Sequence, residues 1–274
     1  MLEITILKVE HQGTEEARKL LPYIQECDVF GPESAFLLEA EAAYDEKNWR
    51  DTIKADISRT QFLKFCSDMI EKTERNPGIK AYKLKTYDYL FSEKKSIWHP
   101  ERYYEDERNS ILASKEESRK LDTLSFKSLW EDKKDDFFDY TWKSFAIQFA
   151  QTTQRDQHIA KQLAFAETHI KNLYPQLAEK EKLKYSLFVG LAHEPEKHMD
   201  IPVNAIDLST SLMIPLKRMY KAVLGEDRSD ESKRHTVIWL YRTFFKQRGP
   251  SQDQMEQMSL TDLIALLKKD LRPQ

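Results

Sequence analysis

The fold is decided by the stretch Lys184-Tyr185-Ser186-Leu187-Phe188-Val189-Gly190-Leu191-Ala192-His193. Apolar and aromatic residues run together here after a strongly charged segment, and the run stops at Gly190 and His193. A short, continuous apolar run is typical of a strand that is buried on both faces of a parallel sheet. The stretch therefore predicts a central strand that carries a titratable side chain at its carboxyl end.

The composition favours a protein with long helices and a well-packed core. The 274 residues are 40% hydrophobic and 11% aromatic, and they include only six glycines and ten prolines, which disfavours an all-β sandwich. The formal net charge of -3 gives no overall attraction to nucleic acid or to an anionic membrane. The amino terminus lacks the features of a signal peptide, and no apolar run approaches the roughly 20 residues that span a bilayer. We therefore expect a cytoplasmic protein that binds neither nucleic acid nor membranes, with Cys27 and Cys66 as buried free thiols.

Hydrophobic periodicity divides the rest of the chain into strands and helices. Alternating or β-branched segments predict three more strands, at residues 2–11, 27–33 and 95–102. A helix capped by Thr14 separates the first two strands, which is how a parallel sheet begins. Further helical segments are predicted at residues 34–75, 79–91, 103–150, 153–173, 176–184, 204–224, 231–247 and 259–270.

This order of elements predicts an α/β fold with a mostly parallel central sheet and helices on both faces. Residues 1–200 would form the α/β core, with a large helical insertion around residues 34–92. Residues 201–274 would form a helical C-terminal extension packed on the core.

Titratable side chains follow each predicted strand at its carboxyl end, where open α/β sheets bind their ligands. They are Glu10 and His11, Glu33, His99 and Glu101, and His193. Imidazole and carboxylate groups that meet at one edge are what a transition metal or a general acid/base pair requires. The chain has no nucleotide-binding, nucleophile-elbow or zincin motif.

Each of these side chains also has a purely structural interpretation. His11 would hydrogen-bond the following turn, Glu33 would cap the next helix, and His99 and Glu101 would be ordinary surface residues. His193 is the strongest candidate, because the glycine three residues before it lets the backbone or a ligand approach closely. At the start of a helical stripe, Arg155 and Asp156 would form a structural salt bridge or steer an anion.

Several short segments resemble the TraB/Tiki group and its erythromycin-esterase-like and ChaN-like relatives. The segment Gly190-Leu191-Ala192-His193 is similar to the family's late GxxH strand, and Asp28-Val29-Phe30-Gly31-Pro32-Glu33 is similar to the strand that ends in the family's Glu. The segment Gln154-Arg155-Asp156-Gln157-His158-Ile159-Ala160 resembles a helix start that usually reads Glu-Arg-Asp. His11, before Gly13-Thr14, stands where the family has its first His. The resemblance covers residues 1–35 and 150–198 in pieces. Lys8 stands where the early motif has glycine, and Gln154 stands where an acid is usual.

The resemblance implies an α/β core and a metal-dependent hydrolase that acts on an amide or ester bond of a small molecule or peptide. The implied ligands of a divalent metal ion are His11, Glu33 and His193. Glu101 or Glu10 would serve as general base, and Arg155 would stabilise a developing oxyanion. Two other interpretations stay open. The first is a non-catalytic binding or scaffold protein on the same fold, and the second is haem binding with His99 or a tyrosine as axial ligand.

Overall fold

The computed structural model describes residues 1–9, 13–32, 37–55, 57–190, 192–208, 228–245 and 249–271. Its strands in chain order are β1 (Leu2–Val9), β2 (Val29–Gly31), β3 (Leu37–Leu38), β4 (Ser96–Ile97), β5 (Arg102–Tyr103), β6 (Leu183–Gly190) and β7 (Asn204–Asp207). Five of them form one parallel sheet in the order β4-β2-β6-β1-β7, and β3 pairs with β5 in a second, two-stranded sheet. The predicted α/β class is confirmed.

Helices make up most of the remaining residues that the structure describes. They are α1 (Gly13–Glu26), α2 (Glu39–Lys54), α3 (Arg59–Thr73), α4 (Pro77–Ser92), α5 (Glu105–Trp130), α6 (Lys134–Leu163), α7 (Ala166–Leu173), α8 (Asp230–Phe245), α9 (Gln252–Glu256) and α10 (Leu260–Asp270). Short 3-10 turns cover Pro175–Leu177 and Pro195–His198. Of the helices described, none is both long and apolar enough to cross a membrane.

The predicted central strand is β6, which lies between β2 and β1. All eight of its residues pair with β1, from Leu183 opposite Leu2 to Gly190 opposite Val9. One face of β6 contributes four residues to an apolar cluster with α6 and α7, and Phe188 faces a second cluster with α1, α3 and α4. The strand is therefore buried on both faces, which accounts for the unbroken apolar run in its sequence.

Two helices on one face of the sheet, α3 and α4, begin where the sequence provides a cap. Ser58 accepts a hydrogen bond from the backbone N–H of Gln61 at the start of α3, and Asn76 caps α4 ahead of Pro77. These helices lie in the predicted insertion at residues 34–92, and their apolar side chains pack on one face of the sheet together with the two buried, free thiols, Cys27 and Cys66.

The chain forms two compact units. The first comprises residues 1–109 and 152–209, and the second comprises residues 110–151 and 210–274. Within the second unit, Phe137, Phe138 and Trp142 of α6 pack with residues of α8, α9 and α10, such as Tyr241 and Met255. This division differs from the predicted boundary at residue 200, because apolar side chains between residues 110 and 151 pack with the C-terminal helices and β7 pairs with β1 of the sheet.

Four local predictions were wrong. Thr153 does not cap a helix but lies inside α6, which runs unbroken from Lys134. The predicted helix at 176–184 is instead a 3-10 turn followed by the start of β6. The predicted third strand, 95–102, is divided between β4 and β5 of different sheets. The predicted helix at 204–224 begins with β7, a short edge strand of mostly exposed residues, and most of its remainder lies outside the described residues.

Candidate functional site

The carboxyl ends of the parallel strands share one edge of the central sheet. Val9, the last residue of β1, pairs with Gly190, the last residue of β6. On the other side of β6, Gly31 ends β2 opposite Leu187, and β4 runs parallel to β2. The chain segments that carry the candidate residues therefore leave the sheet at this edge. Of those residues, Glu10, His11 and Glu33 lie outside the described part of the chain.

His193 forms a buried hydrogen bond with Asp156 of α6. The distance from His193 Nδ1 to Asp156 Oδ1 is 2.6 Å, and the two residues are only 5% and 3% exposed. The second carboxylate oxygen of Asp156 accepts the backbone N–H of Glu194 at 2.7 Å. Because one carboxylate binds both the imidazole and the next backbone amide, the ring of His193 is fixed in orientation. His193 was the strongest candidate from the sequence alone, but this partner was not predicted.

Glu101 and Arg155 bind each other in a bidentate ion pair. The distances are 2.6 Å from Arg155 Nε to Glu101 Oε1 and 3.0 Å from Nη2 to Oε2. The hydroxyl of Tyr103 also donates to Glu101, and its pKa is raised, chiefly by burial and then by the charge of Glu101. Glu101 is 2% exposed, so it is not the surface residue of the structural interpretation. The predicted base and the predicted oxyanion-binding group thus neutralise each other here.

Two consecutive residues of α6 therefore bind the segments that follow two different strands. Arg155 binds Glu101, which follows β4, and Asp156 binds His193, which follows β6. In the sheet, β2 lies between these two strands. These two contacts define the candidate site.

A second buried polar cluster holds the chain between β4 and β5. Glu46 of α2 accepts the backbone N–H of His99 at 2.8 Å and binds Arg102 at 2.5 Å. Burial raises the pKa of Glu46, and the nearby guanidinium of Arg102 opposes that rise. The His99 ring is buried and its Nε2 lies 2.8 Å from Asp45 Oδ2, so His99 is not a surface residue either.

Lys8, at the position where the resembled motif has glycine, is a buried cation near the same edge. Its Nζ lies 2.5 Å from Glu196 Oε1 and 3.9 Å from Glu194 Oε1. Both carboxylates belong to the segment that directly follows His193. Sequence reasoning noted Lys8 only as a departure from the motif and gave it no contact.

The donor set fits a metal ion in part. A histidine that binds a metal commonly donates its other ring N–H to a carboxylate, which is the relation of His193 to Asp156. Within the described ranges, no three His, Cys, Asp or Glu side chains are grouped so as to hold a metal. The other two expected ligands, His11 and Glu33, lie outside those ranges.

No family model matches the chain, and neither a curated protein nor a solved structure matches it significantly. The resemblance to the TraB/Tiki group therefore depends on its short segments alone.

Proposed function

We propose that this chain is a metal-dependent hydrolase of the TraB/Tiki type, which cleaves an amide or ester bond in a small molecule or peptide. The reaction would take place at the carboxyl edge of the central sheet. The observation that carries the proposal is the buried hydrogen bond between His193 and Asp156. A carboxylate on Nδ1 favours the tautomer that presents the lone pair of Nε2, as metal binding requires.

The residues of the chain would have distinct roles. A divalent metal bound by His193 with His11 and Glu33 would supply Lewis-acid activation of water. Asp156 would orient His193 through the ring nitrogen and would fix the next backbone amide. Arg155 and Glu101 would act as positioning residues while they remain paired, and Glu10 would be the general base.

Metal analysis of the full chain, purified without chelator, tests this proposal. We expect about one equivalent of a divalent metal per chain, and removal of the carboxylate partner in Asp156→Asn should weaken metal affinity about 10- to 100-fold. His193→Ala and His11→Ala should lose the metal. His198→Ala is the matched control, because His198 is exposed in the neighbouring 3-10 turn. A metal content near zero, unchanged in the two histidine variants, would contradict the proposal.

A non-catalytic binding or scaffold protein is the second candidate function. It is favoured by Lys8, which stands where the resembled motif has glycine and whose buried ammonium group is bound by Glu196. This alternative predicts no ordered metal, and it predicts that partner binding survives substitution of His193.

A further inference from the structure

Lys8 occupies an unusual place for a lysine. It lies in β1, which has a neighbouring strand on each side, and it pairs in register with Val189 of β6 and with Asp207 of β7. Its side chain is only 10% exposed. A buried ammonium group is costly unless it is paired, so its ionic partners decide whether the position is tolerated.

Both partners of Lys8 come from one short segment, residues 193–198, which follows β6. Glu196 Oε1 lies 2.5 Å from Lys8 Nζ, and Glu194 Oε1 lies at 3.9 Å. The other oxygen of Glu196, Oε2, is buried and has no hydrogen-bond partner in the described part of the chain. The side chain of Glu196 is therefore held at this position chiefly by Lys8.

The same segment is also held by α6. Asp156 accepts hydrogen bonds from the His193 ring and from the backbone N–H of Glu194. The segment thus has one attachment to α6 at residues 193–194 and a second attachment to β1 at residues 194–196. Without the contacts to Lys8, the segment would be held only by the contacts of residues 193–194 with Asp156, and residues 195–198 would no longer be held against the sheet.

We propose that Lys8 is a positioning residue that holds the 193–198 segment against the sheet, so that His193 keeps its hydrogen bond with Asp156. The positioning of His193 matters for catalysis only if the chain is the proposed hydrolase, and this part of the inference rests on that proposed function. Lys8 acts through Glu196 and Glu194. Its charge is compensated by these carboxylates, so it is not assigned to substrate or metal.

Amide hydrogen exchange and NMR of the full chain test the role of Lys8. In Lys8→Met, we expect the backbone amide of Glu194 to exchange at least about tenfold faster, because the 193–198 segment can then open locally. For the same reason, we expect the ring N–H resonance of His193 to be lost. Lys8→Arg keeps the positive charge and should restore both signals. Lys197→Met is the matched control, since Lys197 binds Glu194 from an exposed position in the same segment.

Glu196→Gln provides a second variant that leaves the strand unchanged, and it should produce the same loosening if Lys8→Met fails to fold. An unchanged Glu194 amide and an unchanged His193 resonance in either folded variant would overturn the inference. These signals do not depend on a bound metal. If the natural chain binds no metal and the segment loosens in the variants, the positioning role of Lys8 stands and the hydrolase proposal fails. If the natural chain binds a metal and the segment is unchanged in the variants, the hydrolase proposal stands and the positioning role fails.

Discussion

Replacement of Arg155 by methionine tests the physical account of the candidate site. The substitution removes the cation from a carboxylate, Glu101, that is 2% exposed and receives two hydrogen bonds from the guanidinium group. Breaking a buried ion pair from one side typically costs about 3–5 kcal/mol, because the remaining charge stays buried without its counter-charge. We expect a loss of that size in the stability of the first unit.

The double variant Glu101→Leu/Arg155→Met separates a buried charge from a lost contact. It removes both charges together and replaces them with apolar groups, so the main expected cost is that of the buried Tyr103 hydroxyl, which loses its acceptor, at about 1–3 kcal/mol. The two substitutions should therefore be strongly non-additive. A matched surface control is Lys47→Met, which breaks an exposed pair with Asp51 and should cost no more than about 0.5 kcal/mol.

Native-state hydrogen exchange of the β6 amides is the suitable assay. These amides lie in the central strand, so their slowest exchange reports the opening of the first unit even if the second unit unfolds separately. A cost below about 1 kcal/mol for Arg155→Met, or a double variant as unstable as the single one, would refute the view that the pair is buried and mutually compensating.

Three further predictions concern other parts of the first unit. Gly31→Ala should lower the urea midpoint, at a cost of about 1–3 kcal/mol, because its Cβ would lie 2.0 Å from the buried hydroxyl of Tyr185. The hydrogen bond from Arg59 is the largest effect that holds the pKa of Asp88 below its ordinary value. The pKa of Asp88 is therefore lower in the folded chain than in the unfolded chain, so the ionised carboxylate stabilises the fold above a pH of about 4. This stabilisation is lost as the pH falls through the folded pKa. Asp88→Asn should therefore flatten the acid side of a curve of stability against pH. Burial raises the pKa of Cys27 to about 11, so the native chain should leave this thiol unmodified by Ellman's reagent at a pH of about 8, and denaturant should expose it.

The central strands of the sheet could be predicted from the sequence, whereas the edge strand β7 could not. The strands β1 and β6 are buried, so their apolar and β-branched residues report directly on the environment that each strand occupies. The edge strand β7, Asn204–Asp207, has four mostly exposed residues, and it belongs to the sheet through backbone pairing with β1. Backbone pairing leaves no mark on the choice of side chains, and a helical pattern was therefore the wrong interpretation of this segment.

The contacts between charged residues at the candidate site could not be predicted from the sequence either. The position of His193 after β6 could be predicted from the apolar pattern of that strand, but its partner Asp156 is 37 residues away and no spacing rule connects the two. Glu101 and Arg155 were each predicted to be at the site, as a base and as an oxyanion-binding group. Their pairing depends on the position of α6 against the end of β4, which a single sequence does not give.

The adjacency of Arg155 and Asp156 leads to one more prediction. Successive residues of a helix point about 100° apart, so one position and rotation of α6 must satisfy both the contact with Glu101 and the contact with His193. If Arg155→Met lets this turn of α6 move, the ring N–H resonance of His193 should shift or broaden, although no hydrogen bond joins Arg155 to His193 in the contacts described above. Lys161→Met, one to two turns further along α6, is the control and should leave the resonance unchanged. A His193 resonance that is identical in Arg155→Met and the natural chain would mean that the two contacts are independent, and that α6 does not couple the two strand ends.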